Sequence, residues 1–171
     1  MSDGDSCRLK YFEGEPEVLA EVRQMWDEIF DDPEEFADYY FTEICKQNKI
    51  LLAYKGGCAG RMIHLNPYEM QVEGKKELCY YIVGVAVKPE YREQGIMHKM
   101  MQRVLADMKK DGRAFAFLMP EREEYYESLG FEKVFHTLEL DIDIAELEDE
   151  NVVRMIFPVR RILYEESERS A

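Results

Sequence analysis

An α/β (α+β) fold, with helices flanking a mixed sheet, is what this sequence predicts, and three observations carry the prediction. The apolar period changes from helical to alternating and back along 171 residues. Glycine-bearing turns, Lys55-Gly56-Gly57 and Glu73-Gly74-Lys75, punctuate the middle of the chain. An apolar run ending at Pro89 gives way to Gly95, which opens another amphipathic segment.

Each element can be read in turn. Cys7 to Phe12 forms a short first strand. Glu15 to Phe30 places Val18, Leu19, Val22, Met25, Trp26, Ile29 and Phe30 at helical spacing, with carboxylates on the other side. Asp31-Asp32-Pro33 interrupts that helix, because proline suits a helix start and disfavours helical geometry just before it. A second helix is expected from Pro33 to Cys45, with Phe36, Tyr39, Tyr40 and Ile44 as its apolar stripe. Ile50 to Tyr54 and Cys58 to Met70 read as hairpin strands. Pro67 within the second implies an edge position, a bend or a break. Leu78 to Val87 is a long strand, completing a strand, two helices and an antiparallel meander.

From Gly95 the residues Ile96, Met97, Met100, Met101, Val104, Leu105 and Met108 recur on one helical face until Asp111-Gly112. Ala114 to Met119 is wholly apolar, as a strand buried on both faces would be. Pro120 to Leu129 reads as a short helix and Phe131 to Ile142 as a last long strand. Ile144 to Glu150 is an acidic loop or short helix, and Val152 to Phe157 one further strand. Residues 1–158 are read as a single domain and 159–171 as a charged tail.

Composition narrows the function classes. A net charge of −14 disfavours nucleic acid, which requires a dense basic surface. The same field attracts cations and also keeps a protein soluble. Cys7, Cys45, Cys58 and Cys79 lie far apart without a C-x-x-C pair, which favours neither zinc nor a disulfide framework. The start Met1-Ser2-Asp3-Gly4-Asp5 lacks a signal peptide, and the longest apolar stretch, Tyr80 to Val87, is too short to span a bilayer. A cytoplasmic protein with reduced thiols and no membrane contact is expected.

The informative segment runs from Val83 to Met97. A buried strand meets a proline-stopped turn, and a glycine opens an amphipathic helix. Main-chain N–H groups at a helix N-terminus lack intrahelical partners and carry the positive end of the dipole, so a phosphate or pyrophosphate suits them. The same pattern also describes an ordinary strand-to-helix connection. Neither the dinucleotide glycine fingerprint nor the P-loop pattern is present. Gly84 inside an apolar strand suggests a bulge or a close backbone approach.

With Tyr125-Tyr126-Glu127-Ser128-Leu129-Gly130-Phe131 downstream, the sequence resembles the GCN5-related N-acetyltransferase (GNAT) superfamily from about Cys7 to Ile142. Arg92-Glu93-Gln94-Gly95-Ile96-Met97 matches the family's Arg/Gln-x-x-Gly-x-Gly/Ala pyrophosphate loop in all but the last place. Tyr125 to Phe131 is similar to its Phe-Tyr-x-x-x-Gly-Phe ending. The resemblance implies a mixed central sheet whose two middle strands splay, with acetyl-CoA as co-substrate in the gap. The main chain of Arg92, Glu93, Gln94, Gly95, Ile96 and Met97 would hold the diphosphate. Val85, Ala86 and Val87 would pair with the pantetheine arm, and Tyr126 would donate a proton to the leaving thiolate. Tyr126 also reads as an aromatic packing residue.

Met97 and Phe117-Leu118-Met119-Pro120 resemble the branch named for enhanced intracellular survival, whose extra domains 171 residues do not accommodate. Aminoglycoside acetylation is therefore not carried over.

The implied chemistry is direct attack of a neutral amine on the thioester in a ternary complex. The acceptor is a primary amine, small molecule or peptide, expected to be cationic; a homodimer is left open. The base is not readable: Glu28, Asp31 and Asp32 lie near the first helix junction, and His64, Tyr80 and Tyr81 lie on candidate lining strands. No metal is expected, since His64, His98 and His136 form no ligand-spaced group. Two alternatives stand beside this reading: a catalytically silent acyl-CoA-binding module or sensor, and a transferase for longer acyl chains.

Overall fold

The computed structural model describes residues 7–55 and 57–134. The chain divides into compact units at Glu132, and the fold below is that of the first, Met1–Glu132. The limit expected at residue 158, the strand expected over Val152 to Phe157, the loop over Ile144 to Glu150 and the tail all lie outside the described residues. So does the last long strand from residue 135 on, while its first part, Phe131 to Val134, has no regular structure.

Five strands form one sheet in the order β1 (Arg8–Phe12), β2 (Lys49–Lys55), β3 (Cys58–Val72), β4 (Lys75–Val87) and β5 (Phe115–Leu118). The first three pairings are antiparallel, while β5 runs parallel to β4 after the crossover helix α3 (Ile96–Lys110). This is the mixed sheet with flanking helices that the patterning predicts. Helices α1 (Pro16–Ile29) and α2 (Glu34–Tyr39) join β1 to β2, and a single turn, α4 (Glu124–Glu127), follows β5.

Strand alternation sorts the core into two layers. Ile50 and Leu52 of β2 face α1 and α2, whereas Leu51 and Ala53 face α3. Both faces are covered, so no polar face marks the inner strands. Helix α1 buries Val22, Met25 and Trp26, each contributing roughly 1.5–3 kcal/mol. Its open face carries Arg23, which pairs with Asp27 at 2.8 Å and with Asp38 of α2 at 2.5 Å. Pro67 sits where β2 has already ended, opposite Tyr80 of β4 alone, so its missing N–H costs no ladder bond.

Three expectations need correction. The second helix does not run regularly to Cys45: α2 passes into a π turn at Tyr40–Ile44 and a 3₁₀ turn at Cys45–Gln47. The buried stripe is Ala37, Tyr40, Phe41 and Cys45, which leaves Phe36 and Tyr39 exposed. β5 is half-buried along its length, and as the edge of the five-stranded sheet it has a strand partner on one side alone among the described residues. The helix expected over Pro120 to Leu129 is reduced to Glu124–Glu127.

Candidate active site

The end of β4 is built around a bulge. Met62 pairs with Ala86 and His64 with Val83, so Gly84 and Val85 together oppose the single residue Ile63. The extra residue inverts the strand's alternation. Ile82 and Val85 both belong to the α3-facing layer, while Val83 and Ala86 belong to the layer under α1 and α2. Gly84 adopts φ +59°, and a Cβ there would lie 2.6 Å from Trp26 Cζ3 and 3.1 Å from His64 Cδ2. Both the backbone angle and the space require glycine.

Past Ile82 and Leu118 the β4–β5 pairing stops, which leaves one edge of Val83 to Val87 without a strand partner among the described residues. The main chain there is not uniform. Lys88 N donates to Gly60 O at 2.9 Å, so ladder alternation turns Ala86 toward Met62 and turns Val87 away from β3. Val85 lies in the bulge itself, where the regular ladder is interrupted. Arg92 Nε donates to Val87 O at 3.2 Å, so that carbonyl is already engaged. Of the three residues read from sequence as a pairing edge, Ala86 pairs with Met62, Val87 turns away from β3 with its carbonyl held by Arg92, and Val85 lies in the bulge.

The segment from Lys88 to Gly95 leads to α3. Pro89–Tyr91 makes a 3₁₀ turn, Glu93 takes φ 60°, and Gly95 takes φ 66° at the helix N-cap. No side chain caps the helix, and its first backbone return is Lys99 N to Gly95 O at 3.3 Å. The N–H groups of Ile96, Met97 and His98 are therefore without intrahelical partners at the positive end of α3. A Cβ on Gly95 would meet nothing within 4 Å, so the space before the helix is open. An open, uncapped and electropositive helix end beside an unpaired strand edge fits a diphosphate with an extended arm. Met97 is half-buried in the first turn of α3.

Two residues missed by the sequence reading support this loop from behind. A Cβ on Gly60 would lie 2.1 Å from the Tyr91 ring, so the ring rests on the β3 main chain. Arg61 is fully buried. Its Nη2 donates to Tyr91 O at 3.4 Å and to Gln94 Oε1 at 3.2 Å, and its guanidinium lies 4.6 Å from the Tyr91 ring centroid. A charged residue inside an apolar run was the available signal.

Tyr126 lies in α4. Its ring packs 5.8 Å from that of Phe131 and joins the apolar layer containing Val85, Ile96 and Leu118. Burial raises its hydroxyl pKa above the usual value, with the charge of Glu121 adding to it. The phenol therefore keeps its proton at neutral pH, as a proton donor must.

On the opposite face, a buried polar cluster underlies the bulge. Tyr40 Oη donates to Asn66 Oδ1 at 3.1 Å, accepts from Asn48 Nδ2 at 3.0 Å, and lies 3.0 Å from His64 Nδ1. With the Tyr40 proton on Asn66, His64 donates from Nδ1, and its buried Nε2 has no partner among the described residues. Burial alone pushes the His64 pKa down to about 3. Of the other candidate bases, Glu28 is held by Lys88 at 2.6 Å, which lowers its pKa, and Asp32 accepts from Trp26 Nε1 at 3.0 Å. Asp31 is exposed, Tyr80 is buried on the α3 face, and Tyr81 stacks on Phe117 with centroids 5.0 Å apart. His136 lies outside the described residues.

A separate hollow of about 400 Å³ is lined by Glu13, Lys46, Asn48, Lys49, Tyr80 and Arg113 among others, and shares no residue with the β4–α3 loop. Among the described residues, no group of three His, Cys, Asp or Glu could hold a metal. Among the same residues, no helix is long and apolar enough to cross a membrane.

Comparison with known proteins agrees with this architecture. The family model described as an acetyltransferase (GNAT) domain matches residues 13–134. No curated protein matches the chain. Among solved structures, a probable N-acyltransferase from Enterococcus faecalis is similar at TM-score 0.66 and 22% identity, over 74% of this chain. This chain spans only 32% of that protein's length. An acetyltransferase from Clostridium acetobutylicum, solved with acetyl-CoA, is similar at TM-score 0.63 and 18% identity, over 80% of this chain and 96% of that one. The aminoglycoside acetyltransferase AAC(6')-Iy, solved with a bisubstrate analogue, is similar at TM-score 0.64 and 15% identity, over 81% of this chain and 99% of that one.

Proposed function

This chain belongs to the GNAT acetyltransferase family, and on that premise we propose that it moves the acetyl group of acetyl-CoA directly onto a primary amine within a ternary complex. The observation that carries the reading is the unpaired edge of Val83 to Val87 beside the uncapped N-terminus of α3, where β4 and β5 part. Bound acetyl-CoA supplies an acyl group already activated as a thioester.

The N–H groups from Gly95 to Met97 hold the diphosphate, with Arg92, Glu93 and Gln94 shaping the turn before them. Val85 and Val87 hold the arm at the strand edge, and the Val85 N–H serves the oxygen on which charge develops. Tyr126 gives its proton to the departing sulfur. The acidic surface around α1 and α2 draws a cationic amine, small or peptidic, toward the gap. A cytoplasmic setting suits a supply of acetyl-CoA.

The test is thiol release from acetyl-CoA across a panel of polyamines, aminoglycosides and basic peptides. Turnover with at least one such amine is expected. Calorimetric binding of acetyl-CoA with no thiol released across the panel would establish the silent binding module instead.

A further inference from the structure

We propose that Arg61 is a positioning residue for the anion-binding loop and sets its preference for a diphosphate; the inference rests on the acetyl-CoA reading above. Three observations carry it. The Arg61 side chain is 0% exposed, on the α3-facing side of β3. Its partners among the described residues are neutral: Tyr91 O, Gln94 Oε1, the Tyr91 ring and Cys7 Sγ at 4.0 Å. Its Nε has no partner, and among the described residues no carboxylate lies within ion-pair distance.

Burying a guanidinium is costly, and among the described residues no carboxylate offsets that cost for Arg61. Tyr91 and Gln94 bracket Arg92 and Glu93, so the two Nη2 contacts brace the turn in which Glu93 takes a left-handed φ of 60°. The braced turn delivers the chain to Gly95 and the N-terminus of α3. A dianionic group in front of that turn faces a fixed positive charge behind it, across protein rather than water, where screening is weak. The diphosphate thus brings negative charge to a site charged in advance.

The experiment titrates wild type, Arg61→Met and Arg61→Lys with CoA and with pantetheine, which has the arm without the diphosphate. Calorimetry gives affinities and ligand-free melting temperatures give stability. Wild type should favour CoA. Arg61→Met should bind CoA about tenfold or more weaker and pantetheine within about twofold of wild type, as loss of the brace and of the charge behind the anion-binding turn requires when the strand edge is untouched. Its ligand-free melting temperature should change little, because the lost hydrogen bonds to Tyr91 O and Gln94 Oε1 are offset by removing the cost of burying a guanidinium. Arg61→Lys keeps the charge and should retain most of the CoA preference.

Equal losses toward both ligands, a markedly lower ligand-free melting temperature, or unchanged CoA affinity in Arg61→Met would each overturn the proposal. A wild type that ignores CoA would remove the acetyl-CoA reading as well, which separates the two failures.

Discussion

Gly84 and Trp26 are built against each other: the ring of Trp26 fills the space that any side chain at Gly84 would need, with Cζ3 2.6 Å from the notional Cβ. The bulge of β4 and the packing of α1 are therefore one arrangement. Gly84→Ala must displace an indole stacked on Tyr40 at 4.9 Å and must also hold φ +59°. Denaturant melts should show a loss of about 2–4 kcal/mol, from overpacking and left-handed strain together. A loss under about 0.5 kcal/mol would show that α1 moves aside freely.

Gly95→Ala separates fold from ligand. The added methyl meets no protein atom within 4 Å, so the cost to stability is the backbone strain of φ 66°, about 1–2 kcal/mol. If the space before α3 belongs to the diphosphate, the KM for acetyl-CoA should rise about tenfold or more, since that methyl would stand between ligand and main chain. An unchanged KM would place the donor elsewhere.

Tyr126→Phe should lower kcat by about 10²–10⁴-fold while leaving CoA affinity intact. The pH dependence has a definite sign. Because burial raises the hydroxyl pKa, the wild-type rate should hold beyond the usual tyrosine value and fall only at higher pH, as the donor proton is lost. The variant should lack that alkaline fall. A variant of normal kcat would assign Tyr126 to packing alone.

His64 should make the fold acid-sensitive. Its pKa is depressed from 6.5 to about 3 in the folded chain, so between those values the unfolded state binds the extra proton. Stability is fully present above pH 6.5 and declines as pH falls toward 3, at about 1.4 kcal/mol per pH unit from this one group. His64→Gln should flatten the stability curve in that window relative to wild type. Parallel curves would mean that His64 is not held neutral.

Some of the fold was legible because its signals are local. Pro33, Gly74 and Pro89 break the chain where elements end, and the α1 stripe Val22, Met25 and Trp26 is spaced as a helix requires. Gly84 and Gly95 were legible for the same reason, since each marks a main chain that no other residue suits. The π turn at Tyr40–Ile44 was not, because one residue added to a helical turn leaves the composition unchanged, and aromatic Phe36 and Tyr39 mark the wrong face when Ala37 is the buried neighbour. β4 hid its alternation, since both faces are covered and the bulge reverses the order after Ile82.

The support behind the site was hidden by sequence distance. Arg61 reaches Gln94 across 33 residues, and Tyr40 reaches His64 across 24. A single Arg or His within an apolar strand carries no period, and its partner becomes visible only when the strands are paired.

The Tyr91 ring rests against the bare main chain of Gly60, at a point where no other residue leaves room. The turn ahead of α3 is therefore held against the sheet itself before any ligand is present. Such a template has little conformational freedom left to surrender on binding. Its arrival rates should be those of a rigid cleft, and repeated cycles should begin from the same shape.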